Sequence, residues 1–74
     1  MRVIKQDELL GFSRDDINVL LNKTVRIENN KGDIYVGTIV RIECSPYREQ
    51  WPTHIVIGGK RIIITDIQTI QFKD

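Results

Sequence analysis

Seventy-four residues fit one domain, expected to span the whole chain 1–74, and leave no room for a second. The formal net charge of +1, eleven Lys+Arg against ten Asp+Glu, supplies no global pull on a polyanion, so any nucleic-acid contact must come from a local patch. One cysteine, Cys44, excludes an internal disulfide, and with one histidine, His54, it falls short of the four ligands of a structural zinc site.

A domain this small buries only about 60% of its unfolded surface, so dense aliphatic packing or self-association has to supply stability. Thirteen isoleucines, from Ile4 to Ile70, supply the aliphatic bulk. Apolar runs such as Ile62-Ile63-Ile64 are far too short to cross a bilayer, so no membrane partner is expected. A lone cysteine and no leader-like segment suit the reducing cytoplasm.

Residues 1–12 form an N-terminal segment with two readings: Val3-Ile4 suits an edge strand, and Asp7 to Leu10 suits a helical turn closed by Gly11. Ser13-Arg14-Asp15-Asp16 has the spacing of a capping box, and the two acids place negative charge where the helix dipole favours it. Ile17, Leu20 and Leu21 recur at i, i+3 and i+4, so a helix over 13–22 is predicted.

From Thr24 the period changes to two. Val25 and Ile27 alternate with polar neighbours in a half-buried strand, and Asn29 to Asp33 has the composition of a tight turn. Ile34 to Cys44 is β-prone on both faces, with Ile34, Val36, Val40 and Ile42 on one and Tyr35 and Ile39 on the other. Gly37 is the natural bend. After a proline-bounded loop, Thr53–Ile57 and Lys60–Thr65 flank the two-residue turn Gly58-Gly59, Asp66 marks a break, and Ile67–Phe72 is a last strand. The fold class expected is mainly β: a small, partly open, five-stranded barrel over 24–72, preceded by one short α-helix. Its expected core is Leu20, Leu21, Val25, Ile27, Val36, Val40, Ile42, Ile55, Ile57 and Ile62.

The helix, Asn22 to Ile27, and Lys31-Gly32-Asp33-Ile34-Tyr35-Val36-Gly37-Thr38-Ile39 together resemble the Sm-like family, within the small Src-homology-type barrels. The resemblance spans about Asp16 to Phe72. It implies a barrel, pairing of strand edges into rings, and binding of single-stranded RNA. The family's RNA-contacting residues do not transfer: Glu43-Cys44-Ser45-Pro46 stands where Asp and Asn are expected, and Thr65-Asp66 where Arg-Gly is. The stretch Ile62 to Ile70 is also similar to the close of YolD-like proteins, a family associated with DNA-damage polymerases.

Catalytic chemistry is not expected, and neither is a cofactor or a bound metal. His54 has no Ser or Cys at a motif spacing, Cys44 suits a small core hydrophobe, and Gly58-Gly59-Lys60 lacks the helix that a phosphate loop needs. The informative stretch is Pro46-Tyr47-Arg48-Glu49-Gln50-Trp51-Pro52, which holds two aromatics and an arginine between prolines. Such a loop suits base stacking or a grip on a peptide; equally, Trp51 can fold back to plug the barrel. The candidate ligand-binding set is Tyr47, Arg48, Trp51, Arg41, Lys60 and Arg61. Arg26 is a further cation of the basic set, though Glu28, Glu43 and Asp66 interrupt it in the manner of a solvated mixed-charge face.

Two functions follow as expectations. One is a non-catalytic module recognising single-stranded nucleic acid or RNA through the aromatic and arginine loop. The other is a protein-interaction or assembly adaptor using a strand edge and the same loop. A homo-oligomer is expected from strand edges at Thr53–Ile57 and the final strand.

Overall fold

The computed structural model describes residues 1–47 and 50–73. The chain runs β1 (Arg2–Lys5), α1 (Gln6–Leu10), α2 (Arg14–Asn18), β2 (Thr24–Asn29), β3 (Ile34–Cys44), β4 (Pro52–Ile57), β5 (Lys60–Ile63), a 3-10 turn (Ile64–Asp66) and β6 (Ile67–Phe72). The six strands form one antiparallel sheet in the order β1-β6-β2-β3-β4-β5, with β1 and β5 at unpaired edges. Mainly β is therefore the class. The strand count is six where five are predicted, two short helices stand where one is predicted, and the sheet is not closed. The extra strand and helix lie in residues 1–12, as β1 at Arg2–Lys5 and α1 at Gln6–Leu10, where Val3-Ile4 suits an edge strand and Asp7 to Leu10 a helical turn closed by Gly11.

β3 makes the sheet curl. Its first half pairs with β2, as Val25 with Gly37 and Ile27 with Tyr35, and its second half pairs with β4, as Ile42 with Ile55. Gly37 sits at the changeover, where an added Cβ would collide with the Ile57 side chain of β4, so only glycine lets that isoleucine lie across the bend. The inner faces of all six strands then contribute to one core cluster, together with Leu9, Ile17 and Leu20 from the helical segment.

The pairing also corrects the face of β3. Cross-strand partners share a face, so Tyr35, Gly37 and Ile39 look inward with Val25 and Ile27, while Val36 is 68% and Val40 54% exposed. A register shift between Ile39 and Arg41 resets the alternation and returns Ile42, half-buried, to the core side. Leu21 is also exposed. α2 is five residues long and the chain continues through Leu20 N to Ile17 O and Leu21 N to Asn18 O bonds of i to i−3 type, so the i+4 phase fails beyond Asn18. Asn22, at φ 69, then turns the chain into β2.

Both predicted turns are present. Asn29 Oδ1 accepts from Lys31 N at 3.0 Å and Asp33 N at 2.9 Å, closing the β2–β3 hairpin. Gly58, at φ 55, and Gly59 join β4 to β5. Ser13 caps α2 as a true capping box: its Oγ accepts from Asp16 N at 3.2 Å and its N donates to Asp16 Oδ2 at 2.9 Å.

The edges differ from those expected. β4 is paired on both sides, and β6 lies between β1 and β2, with Ile70 facing Ile4 and Ile27. The open edges are β1 and β5. Near them α1 packs on the 3-10 turn, and Gln6 Nε2 donates to Thr65 O at 3.0 Å, tying the two ends of the sheet together.

Candidate functional site

The outer face of β3, β4 and β5 carries two cross-strand rows, Arg41–Val56–Arg61 and Glu43–His54–Ile63. The Glu43 carboxylate is the hub. Oε1 accepts from Arg61 Nε at 3.0 Å and Nη2 at 2.7 Å, and Oε2 accepts from Arg41 Nη2 at 3.0 Å. His54 Nδ1 stands 3.8 Å from Oε1 and 3.0 Å from Thr53 Oγ1. The hydrogen bond from Arg61, then that from Arg41, holds the Glu43 carboxyl below the ordinary carboxylate value. Val56 is buried although it lies on this outer face, in the row between the two arginines whose alkyl stems are long enough to cover it. Two of the candidate cations, Arg41 and Arg61, are thus brought together but engaged with one acid.

Lys60 lies elsewhere, its Nζ 5.4 Å from the centre of the Tyr35 ring. It borders a polar hollow with Arg61, Asn29, His54 and Asp66. Arg26 is separate again, on β2 in the row of Gln71 and Val36, with Glu28 3.9 Å away.

Arg48 falls outside the described residues. Its loop is anchored at both ends, by Ser45 N donating to Trp51 O at 2.8 Å and by Arg14 Nη1 donating to Gln50 Oε1. Tyr47 is 75% exposed. Trp51 is 51% exposed and does not plug the core. It forms one wall of an apolar groove of about 220 Å3, whose other walls are Leu9, Leu10 and Phe12 from the α1 region and Ile63 and Ile64 beyond it.

This groove gathers residues that sequence reasoning left apart. Leu9 and Leu10 sit in the stretch that suits a helical turn, and Phe12 just beyond it, with nothing local to join them to Trp51 or Ile63. Ile63 reads as one more member of an isoleucine run. The usable signal was Leu9-Leu10, two large apolar residues on a helix too short to bury both, and Leu10 is indeed exposed. The groove lies where β5 ends, between Ile63-Ile64-Thr65 and Pro52-Thr53 at the start of β4. The backbone of Lys60–Ile63 pairs with β4 on one side, and on the other makes no hydrogen bond among the described residues.

Protein-family models, curated proteins and solved structures were compared with this chain, and none matches it.

Proposed function

We propose that this chain is a non-catalytic docking module on a partly open barrel, which takes an extended segment of a partner protein along the β5 edge. The observation that carries the reading is the apolar groove of Trp51, Leu10, Phe12 and Ile63 at the end of β5, a strand whose other side is unpaired. An added strand gains main-chain hydrogen bonds from the edge, and a groove beside the edge selects one large apolar side chain of the incoming segment. Tryptophan in such a pocket is the usual energetic anchor of an interface. Lys60 on β5, which has no carboxylate partner among the described residues, favours a segment with an acidic residue flanking its apolar anchor.

The same loop serves a nucleic acid less well. Arg41 and Arg61 already share Glu43, and the Trp51 ring borders an apolar groove rather than standing among free cations.

A displayed library of short segments alternating apolar with acidic residues is the probe. Binders are expected, and Trp51→Ala and Ile63→Lys should each weaken them at least tenfold, about 1.4 kcal/mol, while circular dichroism stays native. Trp51 is half exposed, so the substitution spares the core. An empty selection, or binders indifferent to both substitutions, would overturn the reading.

A further inference from the structure

At the other side of the sheet, where β2 begins and β6 ends, lies a wider groove of about 500 Å3. Lys23, Arg26 and Lys73 line it beside the buried Val25 and Phe72 and the exposed Val36, with Thr24 and Gln71 between. Arg2 adjoins it, because Arg2 pairs with Phe72 and its Cζ stands 5.8 Å from the centre of that ring, the same distance as Lys23 Nζ. The carboxylate ion-paired here, among the described residues, is Glu28, at 3.9 Å from Arg26. Asp7 and Glu8 lie away from the groove on α1, whereas Asp15 and Asp16 on α2 share a neighbouring hollow with Arg2. Three of the chain's eleven Lys and Arg residues thus line one groove, a local positive patch on a near-neutral chain.

We infer that this groove binds the phosphodiester backbone of a single nucleic-acid strand. β2 and β6 are inner strands, each paired on both sides. A peptide laid over them would find no free main-chain groups to pair with, so strand addition is not available here. A phosphodiester chain carries acceptors only, and needs what this groove offers: Lys and Arg side chains, with the Gln71 amide beside them. Phe72 is buried beneath its two cations, so no ring is presented for base stacking, and binding here is set by charge rather than by base sequence. The inference is independent of the β5 docking edge and shares none of its residues.

The test is fluorescence anisotropy with a short labelled oligothymidylate, an oligoadenylate of equal length and an oligoglutamate. The two oligonucleotides should bind within about threefold of one another, the phosphate term being blind to base identity. Engaging three or four phosphates predicts a loss of roughly 20- to 50-fold between about 50 and 200 mM salt. Arg26→Glu and Lys73→Glu, each made singly, should lower affinity at least fivefold. Lys31→Glu, at the far end of β2 in the hairpin turn, makes the same single charge change and should lower it less than threefold. Both sets of positions are at the surface, and circular dichroism checks that each variant folds. Absence of binding at low salt, a flat salt response, loss as great in Lys31→Glu as in the groove variants, or tighter binding of oligoglutamate would each overturn the inference.

Discussion

Val36 and Ile39 are both β-branched, three residues apart on one strand, yet one is exposed and the other fully buried. Ile39→Ala should cost about 2–5 kcal/mol by urea denaturation, the range of a large-to-small change in a core. Val36→Ala should stay within about 0.5 kcal/mol of the parent. The local pattern points the other way, since Ile34, Val36, Val40 and Ile42 outnumber Tyr35 and Ile39. Register with β2 and the shift at Ile39/Arg41 decide the matter, and neither is a local property of the strand. Gly37 was legible as a bend, but its reason, the Ile57 side chain lying where a Cβ would go, is tertiary. Gly37→Val should therefore cost about 1–3 kcal/mol or more by overpacking, again by urea denaturation.

Glu43 makes a pH prediction at the same scale. Its folded value is depressed, first by the hydrogen bond from Arg61 and then by that from Arg41. A depressed carboxylate contributes stability that is present above its unfolded value and is lost as pH falls through its lower folded value. The Arg41–Glu43–Arg61 link should then persist through the ordinary carboxylate range and give way only in more acidic solution. A carbon-13 titration of the Glu43 carboxyl reads this directly, and Arg61→Ala should move the midpoint upward. No such movement would mean that Arg61 does not hold the carboxylate in solution.

Among the elements, β2, β3, β4, β6 and both glycine-bearing turns follow from period-two alternation and turn chemistry, and the α2 cap follows from Ser13 and Asp16. Ser13→Ala should cost about 1 kcal/mol in thermal or urea unfolding, the usual worth of a lost N-cap. The α2 helix ends at Asn18 rather than near Asn22 because the next turn tightens, which apolar spacing cannot reveal. β1 is a four-residue strand, and its importance comes from position alone: it covers the edge of β6 and buries Ile4. Removing residues 1–5 should lower stability and uncover β6, producing self-association measurable by sedimentation. A shortened chain as stable and as monodisperse as the parent would show that β1 is dispensable.

Across the whole molecule, the two open edges are both cationic, Arg2 and Lys5 on β1 against Lys60 and Arg61 on β5. Pairing β1 of one copy with β5 of the next would set like charges beside each other, which is unfavourable. The ring-building expected from the Sm-like resemblance rests on edges that are here occupied, β4 by its neighbours and β6 by β1. The charge pattern instead suits two different partners: an acidic, apolar-anchored segment at β5, and a phosphate chain over β2 and β6. Neither groove was legible from composition, because each is lined by residues from elements far apart in the chain. Of the candidate ligand residues, Trp51 contributes to the β5 groove, and Lys60 and Arg61 lie on that edge strand.

The β5 edge is the central claim, and backbone NMR with a library-selected segment tests it most directly. On titration, the amides of Lys60–Ile63 and the Trp51 indole should shift together, and the outward-facing β5 amides should exchange more slowly with solvent once the segment is bound. Shifts confined to Lys23, Arg26 and Lys73, or bound-state exchange at β5 as fast as in the free chain, would contradict strand addition at this edge.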